Sequence, residues 1–214
     1  MANKNIAKSL GAFQVTLSNA TDPEILEATR TYNYDTERIA EGTTLLQKAR
    51  QLNIKQEKEY GEQYSATIAA EDAFYAFKYN TYMPHVKIGR KLFANENGIL
   101  EMLGLNGNRK WSYDELANQA RIFYENALST PHVISKFAMV NITTETLQAG
   151  LDQLANLDLL RAAQKKESGE AQQATDDRDR AMDEINEWMS LYYTVAKIAL
   201  ADKPQLLEKL GVKA

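Results

Sequence analysis

The sequence predicts an all-α fold, an elongated helical bundle built by tandem duplication, and three observations carry that expectation. The vocabulary is helical: Ala, Leu, Glu, Gln and Lys dominate 214 residues that include only ten Gly and four Pro. Apolar positions recur at three- and four-residue spacing along much of the chain. The chain also matches itself. Displaced by 108 positions, Thr36-Glu37, Gly42, Gly61-Glu62 and Ala66-Thr67 fall on Thr144-Glu145, Gly150, Gly169-Glu170 and Ala174-Thr175, and Pro23 falls on Pro131. Dropping one residue changes the offset to 107 and sets Leu100-Glu101-Met102-Leu103-Gly104 on Leu207-Glu208-Lys209-Leu210-Gly211. Pro, Gly and apolar matches at a shared offset are the mark of a repeated unit.

Taken in order, Ile6, Leu10, Phe13 and Leu17 make one side of an amphipathic helix over residues 5–19. Asn19-Ala20-Thr21 ends it. Asp22 then caps free amides and Pro23 fits the first helical position, starting a short helix through Arg30, and Thr130-Pro131 repeats that start before Val133, Ile134 and Phe137. From Asp35 or Thr36 no strong stop appears until about Asn95, apart from Gly42, Gly61 and Pro84; Thr143 to Ala201 is interrupted only by Gly150 and Gly169. A continuous run of about 60 residues would be about 90 Å long, which suggests a coiled coil or a bundle spine.

Each run begins amphipathic (Ile39, Leu45, Leu46, Ala49, Leu52; Leu147, Leu151, Leu154, Leu157) and ends amphipathic and aromatic (Phe74, Phe77, Met83, Ile88, Leu92; Met182, Ile185, Trp188, Met189, Tyr192, Ile198). The middles, Gln56 to Ala70 and Gln164 to Arg178, are polar and rich in small residues. The expected arrangement sets two long antiparallel helices about a pseudo-two-fold axis, with shorter helices packed at each end. Gly61 and Gly169 would lie near the crossing, where the missing side chain permits close approach. The rival is a helical hairpin turning at each glycine. Pro84 should kink the first run, because it removes a backbone donor and clashes with the preceding turn.

Asn95 and Asp202 are the expected caps of a short closing helix in each repeat, with Gly104 and Gly211 at its left-handed end. Asn106 to Trp111 is turn-rich, and Ser112 with Glu115 forms a capping box for a helix whose face is Leu116, Ala120, Phe123, Tyr124 and Ala127. The expected organisation is a first repeat over residues 1–105, a linker over 106–112 and a second repeat over 113–214, the two packing as one domain.

Composition narrows function mainly by exclusion. A net charge of -4 supplies no footprint for a phosphate backbone, so no nucleic-acid partner is expected. The absence of cysteine removes disulfides, thiolate catalysis and cysteine metal sites. No secretory signal and no membrane-spanning run is visible, which points to a cytoplasmic, bacterial protein without a membrane partner.

No catalytic constellation or cofactor motif is found. His85 and His132 belong to no Glu-x-x-His pair. His85 sits among aromatics (Tyr79, Tyr82, and by the pseudo-symmetry Tyr192 or Tyr193); it reads as a general base in a pocket or, more simply, as an interior histidine satisfied by a hydroxyl. His132 reads as a surface residue. Trp188, Tyr192 and Tyr193, with Phe74, Tyr75 and Phe77, either line a ligand cleft near Tyr82 and His85 or supply core bulk. Glu59, Glu62, Glu167 and Glu170 flank the two long-helix glycines and are the weak candidates for a hard-cation site, against a solvated face balanced by Lys55, Lys58, Lys165 and Lys166. Asp176 to Arg180 reads as a water-facing surface. Arg109 and Lys110 beside Trp111 read equally as an anion contact or as exposed linker.

Leu105 to Lys110, Gln119 to Tyr124, Gly169 to Thr175, Trp188-Met189 and Ala196 to Leu200 continuing to Gly211 carry a resemblance. Over roughly residues 100–212 the chain resembles a group of uncharacterised bacterial all-helical proteins, which brings a helical fold and no activity. The leading expectation is a non-enzymatic interaction or scaffold protein that self-associates as a homo-oligomer or binds another protein. The alternative is a bundle binding a small apolar or aromatic ligand, and a third reading is an enzyme with metal held by the glutamates.

Overall fold

The computed structural model describes residues 2–212, with side chains from residue 6 onward. Helix starts follow local chemistry. After α1 (Ala2–Asn19), Asp22 accepts a hydrogen bond from the Glu24 amide and Pro23 opens α2 (Pro23–Arg30). Asn33 then adopts a left-handed conformation, as does Asn141, 108 residues later, each just before a long helix. The first long helix is α3 (Thr36–Ala76), followed without a break by a π turn (Phe77–Tyr82) and α4 (Met83–Leu92). Then come α5 (Asn97–Met102), α6 (Tyr113–Ser129), α7 (Pro131–Ala138), the 56-residue α8 (Thr144–Ala199) and α9 (Pro204–Lys209). No strand occurs among the described residues.

Both long helices are continuous where a hairpin was the rival: α3 passes through Gly61 and α8 through Gly169. The expected role of those glycines does not hold, because a Cβ added at either meets nothing within 4 Å. The glycines that packing demands are Gly42 and Gly150. A Cβ on Gly42 would come 2.6 Å from the Trp188 ring, and one on Gly150 would come 2.5 Å from Tyr124 Cε1.

Pro84 is accommodated by the π turn that precedes α4. Thr36–Leu92 is one residue longer than Thr144–Ala199, and a turn with i→i+5 bonding takes up an extra residue while the helix carries on. Two caps fall one residue later than expected: Glu96 and Lys203, not Asn95 and Asp202, occupy the N-cap positions, and neither side chain bonds a free amide. Ser112 is the N-cap of α6, yet its hydroxyl donates to the Glu115 carboxylate at 2.7 Å instead of accepting from the backbone. Gly104 and Gly211 both take the left-handed conformation.

Two compact units divide the chain at the long-helix glycines: Met1–Gly61 with Gly169–Ala214, and Glu62–Ser168. The first unit contains α1, α2, α9, the opening stretch of α3 and the closing stretch of α8. Its core gathers Leu10, Leu17, Ile25, Ile39, Leu46, Ile185, Met189, Tyr192 and Leu210. Thr16 ties α1 to the C-terminal segment by donating to the Leu210 carbonyl at 2.8 Å, and Lys209 pairs with Asp22.

The second unit holds the rest, with a core of Phe77, Tyr82, Val86, Phe93, Leu103, Leu116, Phe123, Tyr124, Val133, Phe137, Leu147 and Leu154. The expected α6 face, Leu116, Ala120, Phe123, Tyr124 and Ala127, is wholly buried. Arg90 stitches α4 to the loop after α5 by donating to the Leu105 carbonyl at 2.8 Å and to Gly107. A buried Leu, Ile or Phe stabilises by about 1.5–3 kcal/mol against about 1 kcal/mol for a cap, so the cores outweigh the imperfect helix starts.

Candidate functional site

In the first unit, α3 and α8 leave an open groove of about 660 Å³ between their facing stretches. Its floor is aromatic. Tyr34 and Trp188, both buried, meet edge to face with ring centroids 5.5 Å apart. Leu45 and Leu191 supply apolar wall, while Ser190 and Thr194 line the groove with hydroxyls. The charged residues are Arg38, Glu184 and Glu187. Arg38 pairs with Glu41 at 2.6 Å, and Glu184 with Lys48 at 2.7 Å. Glu187 has no basic partner among the described residues, so the surplus charge of the groove is negative.

Behind the floor, Tyr192 stacks on Trp188 with centroids 5.5 Å apart and lies 5.2 Å from Tyr34. The Tyr34 hydroxyl, the Tyr192 hydroxyl and Trp188 Nε1 are buried without a hydrogen-bond partner among the described residues. Burial pushes the Tyr192 phenol well above the usual tyrosine range, with the neighbouring Tyr34 and Tyr193 adding to it. Burial also raises Tyr34, and the Arg38 guanidinium 5.9 Å from its ring centroid pulls in the opposite direction. Tyr193 is turned to another task, with its hydroxyl 2.9 Å from Thr16 Oγ1.

The residues expected around one cleft therefore belong to two cores, with Trp188, Tyr192 and Tyr193 in the first unit and Tyr82 and His85 in the second. His85 Nδ1 lies 3.0 Å from the Tyr124 hydroxyl and both are buried, which makes it an interior histidine held by a phenol. Burial lowers its pKa, and burial drives the Tyr124 phenol far upward. Tyr82 accepts from Arg109 at 2.9 Å; burial raises its pKa and that guanidinium partly offsets the rise. Arg109 is thus a structural tie of the second unit. His132 is exposed and bonds Glu96, which also pairs with Lys136.

Of the four glutamates, Glu62 and Glu167 belong to the second unit, with carboxylate oxygens within 4.8 Å of each other, and Glu59 and Glu170 belong to the first. Lys166 pairs with Glu167 at 3.4 Å, which gives that carboxylate a counter-ion of its own. A second groove, of about 340 Å³, lies in the second unit between Phe77, Asn80 and Thr81 on the π turn and Gln153, Asn156 and Leu157 on α8. Thr81 donates to the Gln153 carboxamide there at 2.8 Å.

Sequence reasoning missed Tyr34 and Arg38 as groove residues, because Tyr34 stands in a turn outside any periodic run. It also missed Lys78, whose burial no spacing announces. No family model, curated protein or solved structure matches the chain. Among the described residues, no helix is long and apolar enough to cross a membrane.

Proposed function

We propose that this is a duplicated, non-enzymatic helical binding protein, related to the uncharacterised bacterial helical proteins it resembles, and that the first unit's groove holds a small aromatic or apolar ligand bearing a cationic amine. The observation that carries the reading is the groove itself. Two buried aromatic rings form its floor, leucines flank them, and the carboxylate of Glu187 is left over after the local ion pairs are made. A pocket of this size suits a small ligand.

Duplication is supported by the paired positions of Asn33 and Asn141, Gly42 and Gly150, and Gly104 and Gly211. The two grooves also correspond, Leu45 to Gln153 at an offset of 108, and Glu187 to Asn80 and Trp188 to Thr81 at an offset of 107. An antiparallel course of the long helices is supported separately in each unit. Gly42 meets Trp188 and Lys48 meets Glu184 in the first; Gln164 bonds Thr67 and Thr81 bonds Gln153 in the second. The two grooves carry different chemistry, charged and aromatic in one and carboxamide-rich in the other, which fits copies that diverged toward different ligands.

Titration with phenethylamine tests the groove, with phenylacetate as the same ring carrying the opposite charge. The expected result is saturable binding of the amine that moves the Trp188 indole N–H resonance and is weakened several-fold in Glu187→Gln. Equal saturable shifts of the Trp188 resonance by the two probes, or no saturable shift at Trp188, overturns it. Self-association is a second reading, carried by the exposed Tyr64, Ile68 and Tyr75 on α3 and Tyr79 on the π turn that continues it, spaced four, seven and four residues apart. Light scattering after gel filtration should then show a dimer or larger species, and a monomer across a wide concentration range refutes it.

A further inference from the structure

The π turn contains a buried cation that no carboxylate among the described residues neutralises. Lys78, second residue of the turn, is only 3% exposed. Its ammonium rests 4.0 Å from the centroid of the Trp111 ring, 5.3 Å from that of Tyr79 and 5.7 Å from that of Phe74. No carboxylate comes within ion-pair distance of it among the described residues. Ring faces attract a cation within about 6 Å, so only Trp111 is well placed and the other two lie near the limit. Taking an ammonium out of water is costly unless an anion or hydrogen bonds replace the lost hydration, and ring faces replace only part of it.

The covering surface is itself open on its outer side. Trp111 is 78% exposed, and Tyr75 and Tyr79, stacked with planes 6° apart, are each about half exposed. Helices rarely retain π turns, and those that persist are frequently found at functional sites. This one places Lys78 beneath the ring of Trp111, a residue of the connection between α5 and α6. The geometry points to a binding site for a small aromatic carboxylate, whose carboxylate completes the Lys78 ion pair while its ring packs on Trp111 and Tyr79. Charge distinguishes it from the groove of the first unit: the preference here is for an anion and there for a cation. Binding here does not depend on whether that groove binds anything.

The two tryptophans report the two sites separately, since Trp111 belongs to this one and Trp188 to the groove. Phenylacetate added to the full chain should move the Trp111 indole N–H resonance saturably, with phenethylamine binding at least tenfold more weakly there. Lys78→Met keeps the length of the side chain and removes the charge. It should weaken phenylacetate at least tenfold while leaving the thermal midpoint equal to or above that of the parent. Trp111→Ala changes an exposed side chain, leaves folding intact, and should weaken binding to a similar extent. Lys78→Arg, which keeps the charge, should bind within about threefold of the parent. A drop in thermal midpoint in Lys78→Met would make the lysine a structural prop held by the rings and overturn the proposal. Unchanged phenylacetate binding in either Lys78→Met or Trp111→Ala would do the same, as would acetate binding as tightly as phenylacetate.

Discussion

Replacing Gly150 by alanine sets two well-known effects against each other in one methyl group. In the middle of a helix the exchange gains about 1 kcal/mol of propensity. Here the new Cβ would stand 2.5 Å from Tyr124 Cε1 and 2.7 Å from its hydroxyl oxygen, where ordinary contact begins at 3.4 Å, so the ring must retreat by about 1 Å. Tyr124 has nowhere to retreat to. It is fully buried, with ring centroids of Phe123 at 5.0 Å, Tyr82 at 6.2 Å and Phe77 at 6.3 Å. Its hydroxyl is also committed to His85 at 3.0 Å. Overpacking of this kind costs typically 1–3 kcal/mol, and loosening the His85 bond adds about 1 kcal/mol. The expected net is a destabilisation of about 1–3 kcal/mol, or roughly 2–10 °C in thermal midpoint for a chain of this size. Urea denaturation followed by circular dichroism measures it. Gly169→Ala is the control: its Cβ meets nothing, so the same exchange should stabilise by up to about 1 kcal/mol. Gly42→Ala falls between them, because Trp188 borders an open groove and can swing outward. If Gly150→Ala proved as stable as Gly169→Ala, the close fit of Tyr124 over Gly150 would be refuted.

Removing the hydroxyls of Tyr192 and Tyr124 should have opposite consequences. Tyr192→Phe deletes a buried hydroxyl that has no partner and is expected to be neutral or stabilising by up to about 1 kcal/mol, whereas Tyr124→Phe strands His85 Nδ1 and should cost about 1–3 kcal/mol; equal effects in a denaturant series would contradict both assignments. Burial lowers the pKa of His85 below its unfolded value of about 6.5, so the unfolded chain binds the extra proton first. Stability linked to this group is complete above about pH 6.5 and falls as the pH drops through that value toward the folded pKa. The thermal midpoint should therefore decline less steeply between about pH 7 and 5 in His85→Gln than in the parent, and parallel declines would show that His85 is not the group responsible.

Much of the architecture is a local matter and was legible without coordinates. Asp22-Pro23 starts α2 because a carboxylate and a missing N–H suit a helix N-terminus, and Leu116, Phe123 and Tyr124 are buried because their spacing puts them on one face of α6. The sequence is compatible both with continuous α3 and α8 and with a turn at each glycine, since Gly61 and Gly169 weaken a helix without ending it. Spacing also showed that the offset shifts by one residue. It did not show that the first long helix contains a π turn at Phe77–Tyr82, which depends on how the helix beyond packs.

Tertiary packing decided what the side chains do. Gly42 and Gly150 matter because a ring from a distant part of the chain lies over each, while Gly61 and Gly169, which look the same in sequence, face open space. Tyr34 and Trp188 share a floor although 154 residues separate them. His85 is held by Tyr124, and Lys78 is buried beneath Trp111, through contacts that neither residue's neighbours in sequence announce. The physical reason is common to all four cases. Helix propensity and capping depend on residues within a turn or two of each other, whereas burial and desolvation depend on which surfaces meet, and these are fixed only when separate stretches of chain pack against one another.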